Sequence, residues 1–181
     1  MLSHKNKFIH FEIPKTGSSS VRCTLKPYYD KSTDPGWYGY LRRGRVEIPW
    51  RNGKRDHSAI PGLYRHIRPE GVQRYFKDMG WDYDSYHKFT FVRNTWSRVV
   101  SMYMFRCKEF KRRKEEFIEC SPHPHAPWEL YDLLVDPDPH KFQQYIKKLS
   151  GSIGSQLTYT QNLDFIGRTE NLQHDFQTVC E

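Results

Sequence analysis

The stretch FIHFEIPKTGSSSV, residues 8–21, constrains the fold more than any other part of the chain. An apolar run with strand character stops at Pro14. A lysine, a threonine, a glycine and three serines follow, and after Ser20 the sequence turns helix-compatible, with Val21 and Leu25 four residues apart. A strand that ends in a small-residue turn and leads into a helix is a place to hold phosphate. Backbone N–H groups at the helix N-terminus point outward, and the helix dipole favours an anion. Gly17 lets the backbone come close, Ser and Thr hydroxyls add donors, and Lys15 supplies a point charge. The nucleotide-triphosphatase pattern GxxxxGK[ST] does not fit, because Lys15 precedes the only glycine of the turn. On this stretch alone, an ordinary strand-to-helix turn capped by serines remains an alternative.

The rest of the chain alternates in the same way. Residues 7–13 read as the first strand and 18–27 as a helix ended by Pro27. Residues 30–62 are rich in Gly, Pro, Arg and aromatics and read as a long loop, with a short strand at GRVEIPW. PEGVQRYFKDMG (69–80) reads as a helix with Pro69 in its first turn, KFTFV (88–92) as a strand, and Trp96 to about Lys114 as a helix capped by Asn94 or Thr95. The expected apolar stripe of that helix is Trp96, Val99, Val100, Tyr103 and Met104. After a Pro-rich break at SPHPHAPW come two helices, WELYDLLV and DPHKFQQYIKKLS, then a strand at 163–166 and a helix from Thr169 or Glu170. Strands alternating with helices predict one α/β domain over residues 1–181. Its central sheet is mostly parallel and flanked by helices, a three-layer arrangement like that of P-loop proteins.

Composition narrows the function. With 36% hydrophobic and 15% aromatic residues the chain is not a disordered one. The net charge of +8 favours an anionic partner. No stretch approaches the roughly 18 apolar residues of a membrane span, and the polar start MLSHKNKF carries no signal-peptide core. A cytoplasmic protein is expected, with a trimmed luminal domain as the alternative. The cysteines, Cys23, Cys107, Cys120 and Cys180, form no CxxC pair, so free thiols are expected and a zinc site is not. A Cys107–Cys120 bridge would need an oxidising compartment.

A second strand–turn–helix lies at KFTFVRNTWSRVVSMY. Arg93 sits where the strand ends, and Ser101 lies eight residues on, about two turns into the helix. A guanidinium there can hold a phosphate through two parallel bonds. Separately, Arg93 could be an edge salt bridge and Ser101 a small packing residue. A phosphate turn one strand earlier weighs against both of those separate readings.

Three blocks carry a resemblance. IPKTGSSS resembles the 5′-phosphosulfate loop of sulfotransferases. FVRNTWSRVVSMY is similar to their 3′-phosphate motif, FVRNPWxRLVSxY, with the same Arg-to-Ser spacing. FIGRTENLQHDF resembles a third family block. They occur in family order between residues 8 and 176, and the match is to the carbohydrate-type group, sulfotransferase family 2, which includes heparan sulfate 2-O-sulfotransferase and bacterial relatives. Thr95 and Ser97 depart from the usual proline and acidic residue. The chain stops at Glu181, where relatives usually run on, so a short or truncated member is expected.

The resemblance implies an enzyme that moves the sulfuryl group of 3′-phosphoadenosine 5′-phosphosulfate (PAPS) to a hydroxyl, with no metal and with 3′,5′-adenosine bisphosphate as the product. It implies that Lys15, Thr16, Gly17, Ser18, Ser19 and Ser20 wrap the 5′-phosphosulfate. By the same resemblance Arg93 and Ser101 hold the 3′-phosphate, and Arg168 and Thr169 lie near the nucleotide. Lys15 would meet the bridging oxygen as negative charge builds there. The acceptor hydroxyl needs a general base, for which His57 in RDHSAI is the candidate and His66 in YRHIRPE the runner-up. The aromatic and basic segment 37–55 suits a carbohydrate acceptor. A non-catalytic nucleotide- or polyanion-binding remnant is the rival reading. Nucleic-acid binding explains the charge but not the three blocks.

Overall fold

The computed structural model describes residues 1–29, 50–51, 54–55, 66–112, 131–148 and 154–181. They form two compact units, one of residues 1–93 and 155–181, the other of residues 94–154.

The first unit is built on a four-stranded sheet. Its strands are β1 (Leu2–Ser3), β2 (Phe8–Phe11), β5 (His87–Val92) and β6 (Phe165–Arg168), in the order β1-β2-β5-β6. β1 is antiparallel to β2, whereas β2, β5 and β6 run parallel. The register pairs His10 with Phe89, Phe11 with Thr90 and Phe91 with Gly167. A small antiparallel pair, β3 (Trp50–Arg51) with β4 (Lys54–Arg55), stands apart, so only the last residue of the GRVEIPW strand expected above lies among the described residues.

Strand alternation explains the layers. Successive side chains point to opposite faces. Ile9 and Phe11 therefore share one face, where they pack with Val72 and Phe76 of α2 (Pro69–Met79). Phe8, Phe89, Phe91 and Phe165 cluster with Val21 and Leu25 of α1 (Ser18–Leu25) and with Leu172, Phe176 and Val179 of α6 (Leu172–Cys180). Helices thus cover both faces of a mostly parallel sheet, the expected three-layer α/β arrangement. Gly80, left-handed at φ 69°, terminates α2 and takes its N–H back to the carbonyls of Phe76 and Lys77.

The second unit is helical among its described residues: α3 (Thr95–Arg112), α4 (Tyr131–Leu134) and α5 (Pro139–Lys148). Asn94 caps α3, its Oδ1 accepting from the N–H groups of Trp96 and Ser97. The core joins Tyr103, Cys107 and Phe110 to Leu133, Leu134 and Tyr145, and the Tyr103 hydroxyl donates to the Leu133 carbonyl. No helix of the described residues is long and apolar enough to cross a membrane.

Several expected boundaries shift. α1 ends at Leu25, and Pro27 sits inside a 3₁₀ turn, Lys26–Tyr28, rather than terminating the helix directly. The last strand is Phe165–Arg168, not 163–166, because Asp164 is held out of it by bonding the Lys88 backbone, with its N–H on the Lys88 carbonyl and its carboxylate on the Lys88 N–H. A 3₁₀ turn, Thr169–Asn171, precedes the final helix. The stripe of α3 is also corrected: Val99, Tyr103, Cys107 and Phe110 are buried, while Trp96, Val100 and Met104 are 73%, 45% and 50% exposed. The free thiols expected of Cys23, Cys107 and Cys180 are observed, so Cys107 forms no bridge; Cys120 lies outside the described residues.

Candidate active site

The turn between β2 and α1 has an unusual backbone. Lys15 and Gly17 both adopt left-handed conformations, at φ 69° and 75°. Glycine does this freely, whereas a lysine carries a steric cost of order 1 kcal/mol or more. Thr16, between them, is buried, and its hydroxyl donates to the Ile13 carbonyl at 3.0 Å, which closes the turn from within. Gly17 is the N-cap of α1, and its carbonyl accepts the N–H groups of Ser20 and Val21. Helix geometry leaves the preceding N–H groups without intrahelical acceptors, so the positive end of the helix opens at this turn.

The hydroxyls of the residues expected around the nucleotide differ in their surroundings. Those of Thr16 and Thr169 are engaged within the protein. Ser19 and Ser20 are exposed on the first turn of α1, and Ser18 is buried beside them.

The next strand brings a second cation to the same place. Arg93 follows the last residue of β5, and its Nη1 donates to the Lys15 carbonyl at 3.4 Å. Thr169 joins the same elements, its hydroxyl lying 2.9 Å from the carbonyl oxygens of both Thr16 and Val92. Arg168, at the end of β6, is exposed, and its N–H donates to Asp175 Oδ2 at 2.6 Å. That bond holds the Asp175 carboxyl below the usual carboxylate range. The carboxyl ends of three adjacent parallel strands thus carry Lys15, Arg93 and Arg168, where open α/β sheets place their ligands.

Three residues brace this edge, and of them the sequence singled out only His66, as the runner-up for a general base. Gln156 bonds the Arg93 backbone twice. His66, itself left-handed at φ 65°, donates from Nδ1 to the Glu12 carbonyl at 2.7 Å, and its own carbonyl accepts the Tyr159 hydroxyl at 3.0 Å. A carbonyl only accepts, so the proton of that ring sits on Nδ1. These contacts run through residues 54 to 93 apart in sequence, which no local pattern reveals.

Of the other expected site residues, Ser101 is partly buried two turns into α3, in the second unit. His57 lies outside the described residues.

The chain is similar to an uncharacterized protein of Archaeoglobus fulgidus, 33% identical over 102 residues, which are 55% of this chain and 68% of that protein. No solved structure matches. The model of the sulfotransferase family matches residues 1–181, and the chain belongs to that family.

Proposed function

We propose that the protein transfers the sulfuryl group of PAPS to a hydroxyl of a carbohydrate or similar acceptor. PAPS supplies the activated sulfuryl group and departs as 3′,5′-adenosine bisphosphate. The observation that carries this assignment is the 3.4 Å bond from Arg93 to the Lys15 carbonyl. It brings the Arg93 guanidinium against the backbone of Lys15 beside the N-terminus of α1, so that two basic residues of adjacent parallel strands share one turn, a set suited to a ligand with more than one anionic group.

In this assignment Lys15 and the N–H groups at the start of α1 neutralise the 5′ side, where charge develops on the leaving oxygen. The left-handed Lys15 and Gly17 shape the turn, and the buried Thr16 hydroxyl fixes it. Ser19 and Ser20 add exposed hydroxyl donors. Arg93 and Ser101 hold the 3′-phosphate. Thr169 acts by joining the turn to β5, and Arg168 lies at the margin. His57 is the general base that takes the proton of the acceptor hydroxyl.

The test is transfer from PAPS carrying labelled sulfate to a panel of glycosaminoglycans, neutral oligosaccharides and phenols. Label is expected in a carbohydrate, with Lys15→Met abolishing transfer and His57→Ala lowering it about 100-fold or more. Label that reaches only phenols would overturn the acceptor class. Undiminished transfer by His57→Ala would overturn the base.

A further inference from the structure

We infer that Gln156 is a positioning residue that sets the phosphate-reading posture of Arg93. This rests on the assignment of Arg93 to the nucleotide 3′-phosphate. The primary amide of Gln156 meets the Arg93 backbone at both ends. Its Oε1 accepts the Arg93 N–H at 2.9 Å, and its Nε2 donates to the Arg93 carbonyl at 2.8 Å. That is the double exchange a neighbouring strand would make, supplied here by a side chain. β6 cannot supply it, because its ladder with β5 ends at the pair Val92–Arg168. Arg93 is the first residue beyond that ladder, and Gln156 extends the pairing by one residue to cover it.

The consequence lies in the guanidinium. A two-bond phosphate contact is directional, and a shift of the backbone that carries it misaligns both bonds. The Arg93 backbone is fixed by Gln156, and its side chain already reaches the Lys15 carbonyl at 3.4 Å. Gln156 is in turn held firmly. It opens the 3₁₀ turn Gln156–Tyr159, which the Ser155 side chain caps by accepting from the Leu157 N–H. The buried Tyr159 at the end of that turn is tied through His66 to Glu12, three residues before Lys15. Gln156 thus belongs to a closed circuit of bonds through both halves of the edge, and its variants should alter recognition of the 3′-phosphate selectively.

The experiment compares the full chain with Gln156→Met, which keeps the length of the side chain and removes both bonds. Each protein is titrated calorimetrically with 3′,5′-adenosine bisphosphate and with 5′-AMP, and amide hydrogen exchange is followed at Arg93. The variant is expected to lose about tenfold or more of the preference for the bisphosphate, to keep its affinity for 5′-AMP, and to exchange the Arg93 amide about tenfold faster. Equal losses for both nucleotides would reduce Gln156 to a general structural role and overturn the inference. So would an unchanged preference or an unchanged Arg93 exchange rate. A wild type with no preference for the bisphosphate would instead overturn the nucleotide assignment, whatever the exchange rates show.

Discussion

Thr169 holds its hydroxyl 2.9 Å from the carbonyl oxygen of Thr16, across 153 residues of sequence. The Thr169 hydroxyl is as close to the Val92 carbonyl, so one side chain ties the turn after β2 to the end of β5. Thr169→Val keeps the shape and removes this tie. A lost hydrogen bond that leaves partly buried carbonyls unpaired costs about 1–2 kcal/mol, and that loss is expected in chemical denaturation. Binding of 5′-AMP should weaken as well, because the turn loses a restraint. Full stability in the valine variant would show that the hydroxyl restrains nothing.

Gly17 and Gly167 should respond to alanine for different reasons. At Gly17 a Cβ would sit 3.5 Å from Leu172 and Thr169 side-chain atoms, an ordinary contact, so the cost is conformational and about 1 kcal/mol. At Gly167 a Cβ would lie 2.5 Å from the ring of Phe91, its cross-strand partner. Relief requires moving a fully buried aromatic in the middle of the core, and a loss of about 2–3 kcal/mol is expected. Denaturation midpoints of the two variants check the order. A Gly17 variant less stable than the Gly167 variant would contradict it.

His10 makes stability depend on pH. It is fully buried, stacked on Phe89 with ring centroids 5.0 Å apart, and neither ring nitrogen has a hydrogen-bond partner among the described residues. Burial foremost, and the charge of Arg22 in the same direction, hold its pKa well below the ordinary histidine value. The unfolded chain therefore takes up a proton near pH 6.5 that the folded chain refuses. The His10 contribution is intact above that pH and is lost progressively as pH falls below it, by at most about 1.4 kcal/mol per pH unit. His10→Phe should flatten the decline between pH 7.5 and 5, measured by denaturant titration. An equally steep decline in that variant would assign the effect to other groups.

The face of α3 gives a paired test. Val99 is buried and Val100 is 45% exposed. Val99→Ala should lower stability by about 1–3 kcal/mol, whereas Val100→Ala should stay within about 0.5 kcal/mol, alanine being the better helix former. The reverse order would restore the stripe that apolar spacing alone suggests.

That stripe shows where the sequence is legible and where it is not. Strand alternation in FIHF and the small residues of PKTGSSS are local signals, and they find β2, the turn and the start of α1, although the strand is Phe8–Phe11 rather than 7–13 and the helix ends at Leu25. In α3 both Val99 and Val100 fit a helical apolar spacing, so only the tertiary neighbours decide which is buried. The final strand was expected two residues early because Leu163 and Asp164 extend its pattern, whereas the Asp164 carboxylate is drawn to the Lys88 N–H and ammonium. At the edge of the sheet the ligand candidates Lys15 and Arg93 were legible from their motifs, and the structure brings them together. The resemblance implies a ligand donor at Thr16 and a neighbour of the nucleotide at Thr169, whereas both hydroxyls serve the protein's own carbonyls. Gln156 left no trace, since an amide that mimics a strand is recognised only by the backbone it meets.

The most direct measurement is a calorimetric titration of the wild-type chain with 3′,5′-adenosine bisphosphate beside 5′-AMP and ADP. Arg93 and Ser101 should make the bisphosphate bind about ten- to a hundred-fold more tightly, the value of one charge-assisted contact. Equal affinity for all three nucleotides, or binding of none, would contradict a site built to read a 3′-phosphate.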